Sequence, residues 1–158
     1  MKDMTTTNVY RTIPSTPIRK MTIKDPGSSI THFIGLIMAA LGTAPLLVRA
    51  GRHDSPIYMI SMAVFMASMI LLYAASTTYH TFDVSPSVNK LLKKVDHMMI
   101  SVLIAGSYTP VCLLVLNDRL GLILLGIVWG LAITGILIKA FWIYCPKWFS
   151  SILYIGMG

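Results

Sequence analysis

Four long apolar stretches decide what this chain can fold into: Ile30 to Val48, Ile57 to Tyr79, Met98 to Leu116, and Leu120 to Ile138. A helix needs about 20 apolar residues to cross a hydrocarbon core of about 30 Å. Inside lipid no water can satisfy a backbone N–H or C=O, so a stretch of this kind has to be helical. Hydrophobic residues make up 55% of the 158, charged residues only 12%, and glutamate is absent. A soluble domain of this size could not cover so much apolar surface. The expected fold class is all-α: a polytopic transmembrane helical bundle of four full helices. A further apolar segment, residues 149–158, adds part of a fifth.

The formal charge of +7 invites a nucleic-acid partner. The cations, however, sit between the apolar stretches and form no basic stripe interleaved with aromatics, which excludes that reading and leaves membrane lipid as the partner. Of the 13 cations, Lys2, Arg11, Arg19, Lys20, Lys24, Lys90, Lys93, Lys94, Lys139 and Lys147 fall on one side, and Arg49, Arg52 and Arg119 on the other. Positive charge is retained on the cytoplasmic side. The expectation is a multi-pass protein of the cell membrane with its N-terminus in the cytoplasm. Residues 1–24 are Thr- and Pro-rich with no apolar core, so they are not a signal peptide and read as a disordered cytoplasmic tail; residues 25–158 form the membrane domain.

Trp142, Tyr144, Trp148 and Phe149 fit an interfacial aromatic belt. From Trp148 to Gly158 a helix rises only about 16 Å, half a bilayer, and an incomplete chain is expected. Cys112 and Cys145 fall near opposite membrane faces, too far apart for a disulfide. Gly35, Gly42, Gly106, Gly126, Gly130 and Gly135 are positions where helices can approach closely, or they reflect the general enrichment of glycine in transmembrane helices. Pro110 should bend the third helix, with Ser107 or Thr109 free to satisfy a released backbone group.

Few ionisable or strongly polar side chains lie within or at the ends of the apolar stretches: His32, Ser76, His80, Asp96, His97 and Lys139. With the orientation above, all of them fall near the cytoplasmic ends of the helices. Ionisable groups at membrane depth are costly and are kept for pairing or function. Ser76 and His80 stand one turn apart on one helix face. A neutral imidazole suits zinc, and a neighbouring hydroxyl can hold a metal-bound water or a substrate carbonyl. Asp96, opening the next helix, can orient or deprotonate such a water. Plainer readings exist: Ser76 back-bonding to the carbonyl four residues earlier, Asp96 as a charge favoured by the helix dipole, and Lys139 snorkelling. His97 lies about 100° round the helix from Asp96, so the two should not face one metal; it is a structural or supporting candidate, as is His32. His53, between Arg52 and Asp54, reads as solvated.

The segments AASTTYHTF (Ala74 to Phe82), LLKKVDHMMI (Leu91 to Ile100) and LIAGSYTP (Leu103 to Pro110) occur in an order and spacing that closely resemble the hemolysin III family. That family groups with progestin and adiponectin receptors and, more distantly, alkaline ceramidases. SSITHFIG (Ser28 to Gly35) is similar to its first motif, and GLAITGILIKAF (Gly130 to Phe141) to its fourth helix. The resemblance implies a seven-helix bundle with Zn2+ near the cytoplasmic leaflet. It implies His80 as a zinc ligand, with Ser76 and Asp96 lining the site and two more histidines from an HxxxH on the last helix. Two departures stand out. Asp25 and Ser28 replace the Glu and Asn of the first motif, leaving His32, and no HxxxH occurs in these 158 residues. The function implied is zinc-dependent hydrolysis of a lipid amide. A pore-forming or membrane-perturbing hemolysin, or a non-catalytic regulator of membrane lipid state, are the alternatives.

Overall fold

The computed structural model describes residues 23–116, 118–142 and 147–157, except for the side chains at 147, 149 and 150. The described residues form α1 (Pro26–Ala50), α2 (Pro56–Thr81), α3 (Pro86–Pro110) continuing as a π-helical segment (Val111–Leu116), α4 (Arg119–Phe141) and a shorter α5 (Lys147–Met157). The first four are long and apolar enough to cross a membrane. Successive helices pack side by side, α1 on α2, α2 on α3, α3 on α4, and α5 lies against α3 and α4.

The helix starts follow from capping chemistry. Pro26, Pro56 and Pro86 each open a helix, where a missing N–H costs nothing. Asp25 caps α1, the Ser85 hydroxyl accepts from the Val88 N–H at 3.3 Å, and Asp118 accepts from the Gly121 N–H at 2.8 Å. These caps explain a difference from the expected boundaries. The third helix begins twelve residues before Met98, because Ser85 and Pro86 start it and the polar segment Asn89 to His97 continues it without a break. An apolar stretch marks the crossing of hydrocarbon, not the ends of the helix.

The packing is inverted relative to a soluble protein. Many buried positions are small or hydroxylated: Ala105, Ala132, Ser61, Ser68, Ser76, Ser101 and Thr109. Leu41, Val115, Leu120 and Ile155 stand exposed, as side chains facing lipid do. Several hydroxyls bond their own helix: buried Ser61 to the Tyr58 carbonyl at 3.1 Å, buried Ser68 to Phe65 at 2.7 Å, and half-buried Ser107 to Ile104 at 2.8 Å. Three of the expected glycines sit at close approaches. A side chain at Gly106 would strike Ser68 of α2, one at Gly35 the Tyr73 ring, and one at Gly135 Ser101 and Leu153. Gly42, Gly126 and Gly130 face open space, so their close-approach reading is corrected.

Pro110 has no N–H to return to the preceding turn. Instead of a simple bend, the helix widens into the π-helical Val111–Leu116. Thr109 bonds the Ala105 carbonyl at 2.9 Å and accepts from the Trp129 indole at 3.2 Å, locking α3 to α4 beside the irregularity. Cys112 is buried and free. Trp142 and Trp148 are exposed as expected of an interfacial belt. Residues 1–22, Tyr144, Cys145 and the Phe149 side chain, on which other expectations fall, lie outside the described residues.

Candidate functional site

The start of α1 and the end of α2 are tied together by the short leader Lys24–Asp25. The last carbonyls of a helix lack partners within it. Here the Asp25 N–H donates to the His80 carbonyl at 2.9 Å and the Lys24 N–H to that of Thr81 at 3.3 Å. The Asp25 carboxylate accepts from the Ser28 hydroxyl at 2.8 Å and more weakly from the Ser28 N–H at 3.5 Å. One of its oxygens also lies 3.2 Å from Nδ1 of His80.

A carboxylate only accepts, so the shared proton sits on Nδ1 of His80, and in the neutral imidazole Nε2 is the nitrogen that bears the lone pair. This is the arrangement by which a carboxylate sets the tautomer of a metal-binding histidine. The His32 ring stacks on that of His80, centroids 5.6 Å apart and planes 19° from parallel, while Tyr79 meets His80 edge-on at 4.9 Å. Lys24 Nζ rests 3.5 Å above the Tyr79 ring. Thr81 donates to the Thr77 carbonyl at 2.7 Å, so at 2.6 Å Ser29 must donate to the Thr81 hydroxyl. The Ser28 hydroxyl, ahead of the Ser28 N–H and the His80 ring, holds the Asp25 carboxyl below its ordinary value, against a smaller effect of burial.

Ser76 lies one turn before His80 and is buried. Thr78 and Thr81 bond carbonyls four residues back. Among the described residues Ser76 makes no such bond, which leaves its hydroxyl available.

Asp96 belongs to a second group, about three turns inside α3 rather than at its start. The dipole of a helix end, felt only in the first turn, therefore does not account for it. Asp96 is buried, and one carboxylate oxygen is 3.5 Å from Nδ1 of His97. That nitrogen also lies 2.8 Å from the Lys93 carbonyl, and Tyr154 of α5 donates to the His97 carbonyl at 3.0 Å. The imidazole turns back along its own helix to the Lys93 carbonyl, which brings it beside the Asp96 carboxylate without aiming the two at a common point. The expectation for Lys139 of α4 is corrected, since it is buried rather than snorkelling, and it lies close enough to His97 to act on it electrostatically. Lys94 reaches the Ala140 carbonyl at 2.6 Å, a cation on the negative end of α4.

Both groups occupy one end of the bundle, where α1 and α3 begin and α2 and α4 finish. The structure joins His32 to His80, and Asp96 to His97. Among the described residues no hydrogen bond or ion pair links the two groups, and no three His, Cys, Asp or Glu side chains converge to hold a metal ion. Zinc needs three or four ligands. The described residues do not by themselves gather such a set. Asp25 was visible in the sequence only as a departure from a motif. The signal that identifies it is local: Asp followed by Pro and, three residues on, Ser is a helix start, and the helix it starts is the one packed on α2.

A multi-pass, all-helical membrane protein with acid–histidine pairs at one end is the class that fold and site define. Residues 21–158 match the model of the family described as Haemolysin-III related, and the chain belongs to that family. It is 40% identical over 131 residues to "Hemolysin-3" of Bacillus cereus, covering 83% of this chain and 59% of that protein. It is 38% identical over 138 residues to "Hemolysin-3 homolog" of Bacillus subtilis (strain 168), covering 87% and 64%. A more distant likeness, 31% over 87 residues (54% of this chain and 20% of the relative), is to "Progestin and adipoQ receptor-like protein 1" of Caenorhabditis elegans. The chain thus spans about three-fifths of the length of the bacterial relatives it matches. No solved structure matches it.

Proposed function

We propose that this chain forms part of a zinc-dependent hydrolase of a lipid amide, with its site at the cytoplasmic end of the bundle. The observation that supports this reading is the Asp25–His80 pair, which fixes the imidazole and frees Nε2 for a metal. His80 serves as one ligand, and the further donors come from outside the described residues. Zinc, when bound, supplies an activated water and polarises a carbonyl. Ser76 offers an uncommitted hydroxyl one turn away for the substrate carbonyl. Asp96 is a buried carboxylate at the same end, suited to hold or accept a proton. His32 and His97 support these groups by stacking and pairing. The cytoplasmic placement rests on the charge asymmetry of the loops.

The name Hemolysin-3 carried by a relative favours a second reading, permeabilisation of a membrane. One experiment separates them. Protein drawn from its native membrane is reconstituted into vesicles that hold a fluorogenic ceramide in the bilayer and a self-quenched dye in the lumen. Ceramide cleavage that stops with a chelator, without dye release, is the expected result. Dye release without cleavage, indifferent to chelator, replaces the hydrolase reading with the lytic one.

A further inference from the structure

At the opposite end of α1 from His80, Pro45, Val48 and Arg49 of the helix and Arg52 and His53 of the turn into α2 line a hollow of about 640 Å³. That volume is within the range of small-molecule sites, about 300–1,000 Å³. We propose that it binds the phosphate headgroup of an anionic phospholipid in the leaflet at that end.

The backbone of the turn is fixed by three bonds: Gly51 N–H to the Leu47 carbonyl at 2.9 Å, Arg52 N–H to Arg49 at 3.2 Å, and His53 N–H to Ala50 at 3.2 Å. The His53 ring lies flat on Tyr58, centroids 4.0 Å apart and planes 7° from parallel. The imidazole is exposed to solvent, as expected, and its ring is oriented by that stack. Among the described residues neither Arg49 nor Arg52 pairs with a carboxylate, although Asp54 follows closely, and neither side chain caps a carbonyl as Lys94 does at Ala140. Two arginines thus line one hollow with their guanidinium donors uncommitted.

Snorkelling accounts for one cation reaching water, not for two cations and a stacked imidazole around a shared space. A guanidinium presents a planar fork that matches phosphate with two parallel bonds. Toward the bilayer centre the wall becomes Pro45 and the well-exposed Val48, an apolar surface for acyl chain. A ligand with an anion at the interface and hydrocarbon directly beneath it is a phospholipid. Free phosphate would use only the outer half of the site. The helix between the two ends is about 37 Å long, so this site is separate from the His80 group and does not depend on the hydrolase reading.

The test uses the protein in nanodiscs of phosphatidylcholine, with and without phosphatidylglycerol. Native mass spectrometry counts the tightly held phosphatidylglycerol, and a melting curve is taken at each lipid fraction. Each cation near an anionic surface contributes about 1 kcal/mol, so Arg49→Gln with Arg52→Gln should weaken retention about 30-fold. Lys90→Gln with Lys93→Gln, at the other end, should leave that lipid in place. Should the double arginine variant fail to fold, Arg52→Lys decides, since it keeps the charge and loses the fork: retention several-fold weaker supports the site. Unchanged retention in the arginine variants overturns the proposal. Inorganic phosphate stabilising the protein in pure phosphatidylcholine as well as phosphatidylglycerol does overturns the lipid assignment.

Discussion

Gly106→Ala should loosen the contact between the two helices that carry His80 and Asp96. An added Cβ at Gly106 would stand 2.6 Å from the Ser68 Cβ and overlap the Ser68 hydroxyl. Ser68 is buried and its hydroxyl is committed to the Phe65 carbonyl at 2.7 Å, so it cannot swing aside without losing that bond. Overpacking of this kind costs about 1–3 kcal/mol. Alanine also gains up to about 1 kcal/mol of helix propensity over glycine wherever it is placed. Gly126→Ala is the control, because nothing lies within 4 Å of a Cβ there. Subtracting the control removes the propensity term and leaves the steric one. Reversible unfolding in mixed micelles should place Gly106→Ala about 1–3 kcal/mol below Gly126→Ala. Ser68→Gly should recover much of the loss, with a coupling of about 0.5–3 kcal/mol in the double-mutant cycle. Equal stability of the two alanine variants, or no coupling to Ser68, would refute the close approach.

Further outcomes follow from the site. The Asp25 carboxyl is held low, so its contribution to the start of α1 is complete above the unfolded value and lost as pH falls through the folded one. Amide protection over Ser28 to Ile30, corrected for intrinsic exchange, should be flat at neutral pH, fall below about pH 4, and be low at all pH in Asp25→Ala. Reporters fused after Ser85 and Trp142 should read cytoplasm, and those after His53 and Asp118 the exterior; the reverse pattern sinks the orientation. In a protein with turnover, Asp96→Asn should keep the fold and lower the rate by about 10²–10⁴, whereas normal turnover removes Asp96 from the chemistry. The isolated chain should retain well under one zinc after dialysis, since the described residues give His80 no two co-ligands. Stoichiometric zinc lost on His80→Ala would point to another set, such as His80, Asp96 and His97.

The membrane crossings were legible because hydropathy and length act directly on a helix in lipid: all four apolar stretches lie inside α1 to α4, the third running on into the π-helical extension of α3. Helix ends were less so. The expected start at Met98 missed Ser85 and Pro86, because an apolar scan does not see a polar helix continuing into the interface. Asp96 consequently moved from a helix terminus to a buried mid-helix position. His32 and His80 share an end by topology alone, which the alternation of helices provides. Their stacking, the clasp of Asp25 on His80 and the burial of Lys139 depend on side-chain direction and on which helices touch, information that spacing along one chain does not carry.

The role of His80 is tested most directly by lipid-amide turnover in the native membrane, comparing wild type with His80→Ala, each treated with a chelator and then resupplied with zinc. The expected result is wild-type cleavage that disappears with the chelator and returns with zinc, and a His80→Ala protein, inserted to the same level, that is inactive and unrescued by zinc. Cleavage by His80→Ala at the wild-type rate, or wild-type cleavage indifferent to the chelator, would contradict it.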